Sequence, residues 1–208
     1  MFAGNDTVSD FSKTSIVELA AIVANNLRDH DIRVVLVGGL AVEIYSENIY
    51  LTKDIDMVDV SYRTPADLHK AMAKIGFEKT GRIYSNKTTD ITVEFPSAPI
   101  TVGDERVIET TVVSSAAGDI PILKAGDVIK DRLAAYFHWR DKPSLVQALT
   151  VLIKFPDELK RIEAFCESEG SPETVALVRQ LLGAATKQGI TTMAGFEKLV
   201  VDLTLESL

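Results

Sequence analysis

Residues 34–60 read VVLVGGLAVEIYSENIYLTKDIDMVDV, and the fold turns on this stretch. Arg33–Val37 is β-branched and apolar after its arginine, and it ends at Gly38-Gly39. A run so short and so apolar predicts a strand buried on both faces, in a sheet covered by helices. Leu40–Ser46 reads as a short helix opening directly from the glycines, and Ile55–Val60 as a second strand. Asp54 and Asp56 stand at the start of that strand with Ile55 between them. Alternation therefore puts both carboxylates on one face and Ile55 and Met57 on the other. Like charges so placed repel unless a cation or a positive side chain lies between them. Hard oxygen ligands held this way suit Mg²⁺, which keeps several waters and also accepts phosphate oxygens. Lys53, immediately before the pair, adds a positive group.

Outward from this stretch, Ile16–Leu27 has apolar residues at helical spacing with one face to bury. Pro65–Ile75 reads as a helix with Thr64 as its N-cap and Gly76 as its terminator. The short alternating or β-branched runs Arg82–Ser85, Ile91–Phe95 and Val107–Ser114 predict antiparallel strands, with Pro96, Pro99 and Gly103 marking a loop. From Gly126 onward strand signals stop, and helices are expected over 126–139, 143–154, 157–168, 172–185 and 193–206. The expected architecture is α+β. A small mixed β-sheet flanked by helices occupies residues 1–120, and a C-terminal helical bundle occupies 121–208.

Composition narrows the function classes. With 208 residues, 46% of them hydrophobic and a net charge of −8, broad attraction to nucleic acid is not expected. Residues 121–161 nevertheless carry eight basic and five acidic groups, so this segment meets a phosphate or forms a solvated helix face. If an RNA is bound, its phosphate contacts are expected at Lys124, Lys130, Arg132, Arg140 and Lys142. The longest apolar stretch, Val34–Val42, is too short to span a bilayer, and the N-terminus lacks a secretory pattern. One cysteine, Cys166, leaves no intrachain disulfide, and a reduced cytoplasmic protein without membrane contact is expected. His30, His69 and His138 are scattered, which disfavours a histidine metal site, and acidic neighbours make Cys166 a poor nucleophile. Asp59, on the face opposite Asp56, reads as a strand-end polar residue.

A third carboxylate follows in ITVEF, where Glu94 points away from the face of Ile91, Val93 and Phe95. If that strand lies beside the Asp54–Asp56 strand, three carboxylates converge, as a two-metal site requires. Gly38-Gly39, between a strand and a helix N-terminus, lets a phosphate approach free backbone N–H groups.

These residues resemble the nucleotidyltransferase superfamily of DNA polymerase beta type, and among its members the bacterial minimal, AbiEii-like toxin branch. The resemblance rests on the glycine pair, fourteen residues from Gly39 to Asp54, the run Thr52–Asp56 and the later acidic strand residue. It extends to DVIKDRLAAYFHWRDKPSLVQAL, a basic helix and its successor, and covers about residues 30–155. It implies a magnesium-dependent, ATP- or other NTP-using transferase acting on RNA (tRNA), protein or a small molecule. A toxin–antitoxin or phage-defence setting and an antitoxin-type protein partner come with it. Carried over, Gly38 and Gly39 cradle phosphate, Asp54 and Asp56 hold metal, and Glu94 takes the third catalytic carboxylate position. Ile129, Leu133, Tyr136 and Phe137 are expected to pack inward with Lys130 on the open side. Lys130 or Arg132 then neutralises triphosphate charge beside Lys53, or else the two are surface charges with Asp131 and Arg132 as a structural pair. Gly39 stands where the family commonly has serine, and Glu94 where it commonly has aspartate. DIDMV also matches the haloacid-dehalogenase phosphatase pattern, but that class places a hydrophobic strand before the first aspartate, where this chain has Leu51-Thr52-Lys53. A glycosyltransferase with a D-x-D pair lacks a sugar-nucleotide domain here. The alternative from another class is a non-catalytic interaction protein built on the same fold.

Overall fold

A computed structural model of the chain describes residues 9–107 and 109–205. In chain order the elements are α1 (Ile16–Asp29), β1 (Val34–Val37), α2 (Gly38–Tyr45), β2 (Asp54–Asp59), α3 (Pro65–Lys74), β3 (Glu78–Thr80), β4 (Ile83–Ser85) and β5 (Thr92–Glu94). Two short strands, β6 (Thr101–Val102) and β7 (Glu105–Arg106), precede β8 (Thr110–Ser115) and β9 (Gly118–Leu123). Five α-helices complete the described chain: α4 (Ala125–Trp139), α5 (Lys142–Leu152), α6 (Leu159–Glu169), α7 (Pro172–Gln188) and α8 (Met193–Leu205). The residues group into two compact units. One gathers the chain through Leu40, Lys53–Pro99 and Thr111–Ile122; the other gathers Ala41–Thr52, Ile100–Thr110 and the residues from Leu123 onward.

The first unit is built on a mixed sheet of order β3-β4-β5-β2-β1-β9-β8. β1 runs antiparallel to β2 and parallel to β9, while β2 runs parallel to β5. Val34, Val35 and Leu36 are all buried, as an apolar strand between two neighbours must be. α1 packs on α3 and β1, and its Leu19, Val23 and Leu27 are buried. Its start is fixed by a capping box, in which the Ser15 hydroxyl accepts from the Glu18 N–H and the Glu18 carboxylate accepts from the Ser15 N–H. Thr64 and Asp67 repeat the device at α3. The Ser15 and Thr64 hydroxyls also donate to Glu18 and Asp67, and these bonds first, with the backbone N–H bonds, hold the two carboxylates below the ordinary range.

β9 departs from the expectation. Gly118–Leu123 forms a strand between β1 and β8, with Ile120 and Ile122 fully buried. Pro121 lies in its middle, and a residue without an N–H is a poor strand signal, so the run was not legible as one. The strand expected over Val107–Ser114 is seen as Thr110–Ser115, and Ile108 lies outside the described residues.

The second unit is helical, with α4 packed on α5 and α6, α5 on α8, and α6 and α8 on α7. Pro143 and Pro172 sit in the first turns of α5 and α7, where a missing N–H is harmless. α4 ends at Arg140 and α7 at Gly189, both with left-handed backbone. Among the described residues no helix is long and apolar enough to cross a membrane.

Candidate active site

The register of β2 and β5 places the acidic residues. Asp54 is paired with Thr92, Ile55 with Val93 and Asp56 with Glu94. Paired residues on neighbouring strands share a face, so Asp54, Asp56 and Glu94 stand on one side of the sheet. Ile55, Met57 and Val93 occupy the other side and are fully buried, so a one-residue slip would drive carboxylates into the core. The Thr92 N–H donates to the Lys53 carbonyl at 3.0 Å, extending the pairing by one residue. The Thr92 hydroxyl donates to Asp54 Oδ1 at 2.6 Å, which fixes that side chain at the edge of the site. Asp54 is exposed, and Asp56 and Glu94 are half-buried.

Gly38 closes one side of this face. Val37 is the register partner of Asp56, and Gly38 follows with φ +65°. A Cβ on Gly38 would run into the Asp56 carboxylate, with Cγ only 3.0 Å away. Glycine is therefore required twice, for a backbone that side chains disfavour and for the close approach of an acid. Gly39 is different: it lies in the first turn of α2, without a positive φ.

The donors on this face are carboxylate oxygens on adjacent strands, the chemistry that hard divalent cations select. Among the described residues no three His, Cys, Asp or Glu side chains form a group that could hold a metal ion. Asp54 and Asp56 are the two residues of this face that could hold a divalent cation, and Glu94 does not complete a three-carboxylate group with them.

The basic residues divide differently. Lys53 is ion-paired with Asp90 at 3.2 Å, both highly exposed, a contact worth little in water. Lys130 does not lie on the open side of its helix. Its side chain is 5% exposed, its Nζ is 2.6 Å from Glu105 of β7 and 5.1 Å from the centroid of the Phe165 ring. The expectation failed because a lysine stem packs like an apolar chain when its head finds a carboxylate and a ring. Arg132 holds Asp131, with its Nε 2.9 Å from Oδ2, and reaches Gln147 at 3.5 Å. Lys124 pairs with Glu109, Lys154 with Glu47 and Arg161 with Asp127. Most of the positive charge of residues 121–161 is therefore met by acids of the same unit. Arg140 and Lys142 have no ion pair among the described residues.

Glu43 went unread. It is 5% exposed on α2, and its Oε2 accepts the Thr52 N–H at 2.8 Å, anchoring the chain just before Lys53 and Asp54. A lone acid inside the apolar run LAVEIY was the available signal. Asp59 has the strand-end role expected of it: its carboxylate accepts from Ser61 N–H, Ser61 hydroxyl and Arg63 N–H. Cys166 is buried, and its pKa is pushed up to about 12 by burial first and by Glu163 and Glu167 second. His138 Nε2 lies 3.4 Å from Glu169. Asp54 begins β2 instead of following a hydrophobic strand, which removes the geometric basis of the phosphatase reading.

No protein family matches the chain by its sequence profile, and no curated protein matches it. Among solved structures it is similar to an antigenic nucleotidyltransferase-like protein from Paracoccidioides brasiliensis. Identity is 12% and the TM-score is 0.51, over 79% of this chain and 94% of that one. The chain thus has an α+β fold with a mixed sheet, of nucleotidyltransferase-like form.

Proposed function

We propose that the protein is a magnesium-dependent nucleotidyltransferase that moves a nucleotide from an NTP to an RNA, protein or small-molecule acceptor in the cytoplasm. The observation that carries this reading is the register of β2 and β5, which aligns Asp54, Asp56 and Glu94 on one face beside Gly38. Asp54 and Asp56 would hold the cation, and Glu94 would accept the proton of the attacking hydroxyl. The cation offsets the triphosphate charge and stabilises the leaving pyrophosphate. Gly38 and Gly39 leave room for a phosphate beside the α2 N-terminus, whose N–H groups point outward. Lys53 opposes phosphate charge from the adjacent position, and Thr92 keeps the Asp54 carboxylate oriented through its hydroxyl. Lys130 is engaged with Glu105 of β7, and Arg132 with its neighbour Asp131 and with Gln147 of α5, so neither is the proposed phosphate contact.

The resemblance to the AbiEii-like branch favours a toxin–antitoxin or phage-defence enzyme with an antitoxin-type partner. Incubation with each α-labelled NTP and cell lysate tests the activity and finds the acceptor. The expected result is one labelled species that appears only with Mg²⁺ and disappears with Asp54→Asn or Asp56→Asn. Label transfer by either variant at the wild-type rate contradicts the assignment. No transfer, together with metal-independent partner capture, favours the non-catalytic interaction protein.

A further inference from the structure

The other face of the sheet holds a cavity of about 380 Å³ that belongs to the same compact unit but not to the carboxylate face. Tyr84 shows why. It pairs with Val93, which pairs with Ile55, so it stands on the side opposite Asp54, Asp56 and Glu94. The Tyr84 ring is buried edge-on against Phe95, at 5.4 Å between centroids, and Lys79 Nζ lies 5.6 Å above it. Its hydroxyl is buried and has no hydrogen-bond partner among the described residues. A buried phenol left unpaired costs free energy unless something in the cavity accepts its proton. Burial also raises its pKa, so it remains an O–H donor.

The rest of the lining matches an anion with a flat body. Lys79 and Arg82 both line the cavity, and neither has a carboxylate partner among the described residues. Arg63 adds a third cation, held toward Asp31 by its Nε at 3.3 Å from the Asp31 carbonyl. The one acid, Asp59, has its carboxylate engaged by the Ser61 and Arg63 turn. The walls are Leu68, Phe95 and prolines, which offer apolar and aromatic contact to a planar ring.

We propose that this cavity is a second binding site, for an aromatic phosphate monoester up to the size of a nucleoside monophosphate. The phosphate sits between Arg82 and Lys79, the ring lies against Phe95, and Tyr84 donates to a polar atom of the ligand. No metal is involved, because side-chain cations supply the positive charge.

Calorimetric titration of the full chain in EDTA tests this, with AMP, phenyl phosphate, adenosine and inorganic phosphate as probes. At least one of AMP and phenyl phosphate binds, and more tightly than adenosine or inorganic phosphate. Arg82→Ala weakens that binding about tenfold, as loss of a charge-assisted hydrogen bond does. Tyr84→Phe weakens it about fivefold while the far-UV spectrum and melting temperature stay close to wild type. Asp54→Asn binds like wild type, which separates this site from the proposed catalytic one whichever of the two fails. Failure of both aromatic phosphates to bind overturns the proposal, as does equal binding of inorganic phosphate. Unchanged affinity in Arg82→Ala and Tyr84→Phe overturns it too.

Discussion

Gly38 carries more of the site than its partner Gly39 does, because only Gly38 combines a left-handed backbone with a carboxylate at van der Waals distance. Gly38→Ala forces an unfavourable φ, costing about 1–2 kcal/mol, and also displaces Asp56. The expected outcome is a lower denaturation midpoint with loss of Mg²⁺-dependent NTP binding. A fully stable variant that still binds contradicts the close approach. The glycine pair was visible in the sequence, but its asymmetry was not, since spacing says nothing of φ. Cys166 gives a pH test at the same scale. Its folded pKa, pushed up from 9.0 to about 12, exceeds the unfolded value. The folded state therefore holds the proton that the unfolded state releases. This contribution to stability is complete below pH 9 and shrinks as pH rises from 9 toward 12. Alkylation of the native protein at pH 8 should be negligible, and Cys166→Ser should flatten the alkaline loss of stability. Rapid native-state alkylation contradicts the burial.

Among the elements, α4 shows how a correct helix can be read with the wrong face outward. Ile129 and Leu133 are buried as the helical spacing implies, yet Lys130 is buried with them because β7 brings Glu105 to its ammonium. Nothing in the α4 sequence announces that partner, twenty-five residues earlier in a two-residue strand. The pair is lopsided: Lys130 is 5% exposed and Glu105 54%. Glu105→Ala strands a buried cation and should cost about 2–4 kcal/mol, less than a fully buried pair because Glu105 is half solvated. Lys130→Met leaves an acid that water can take over, and should cost less. Equilibrium denaturation of the two variants checks the order, and the reverse order contradicts it. β1 and β2 were legible because an unbroken apolar run and an alternating acidic one leave little choice. β9 was hidden by Pro121. The β2–β5 pairing was foreseen only as a condition, since parallel neighbours distant in sequence are joined by tertiary structure alone.

At the scale of the whole molecule, the sheet unit and the helical unit each draw on separated stretches of sequence, with Ala41–Thr52 and Ile100–Thr110 grouped with the C-terminal helices. A net charge of −8 and the internal pairing of Lys124, Lys130, Arg132, Lys154 and Arg161 leave little free positive surface in residues 121–161. Of the five RNA contacts expected there, Arg140 and Lys142 are the two without an ion pair among the described residues. Replacing both with Gln should reduce the salt slope of RNA binding by up to about two units, and an unchanged slope points to a protein or small-molecule acceptor. The central claim is that Asp54 and Asp56 form a site for a metal-bound triphosphate. Its most direct test is the melting temperature measured with NTP, Mg²⁺, both, and NTP in EDTA, for the wild type and for Asp54→Asn and Asp56→Asn. Stabilisation of about 2.7 kcal/mol at one hundred times Kd is expected only when NTP and Mg²⁺ are present together, and none in either variant. Equal stabilisation by NTP in EDTA, or the full shift retained in both variants, would contradict it.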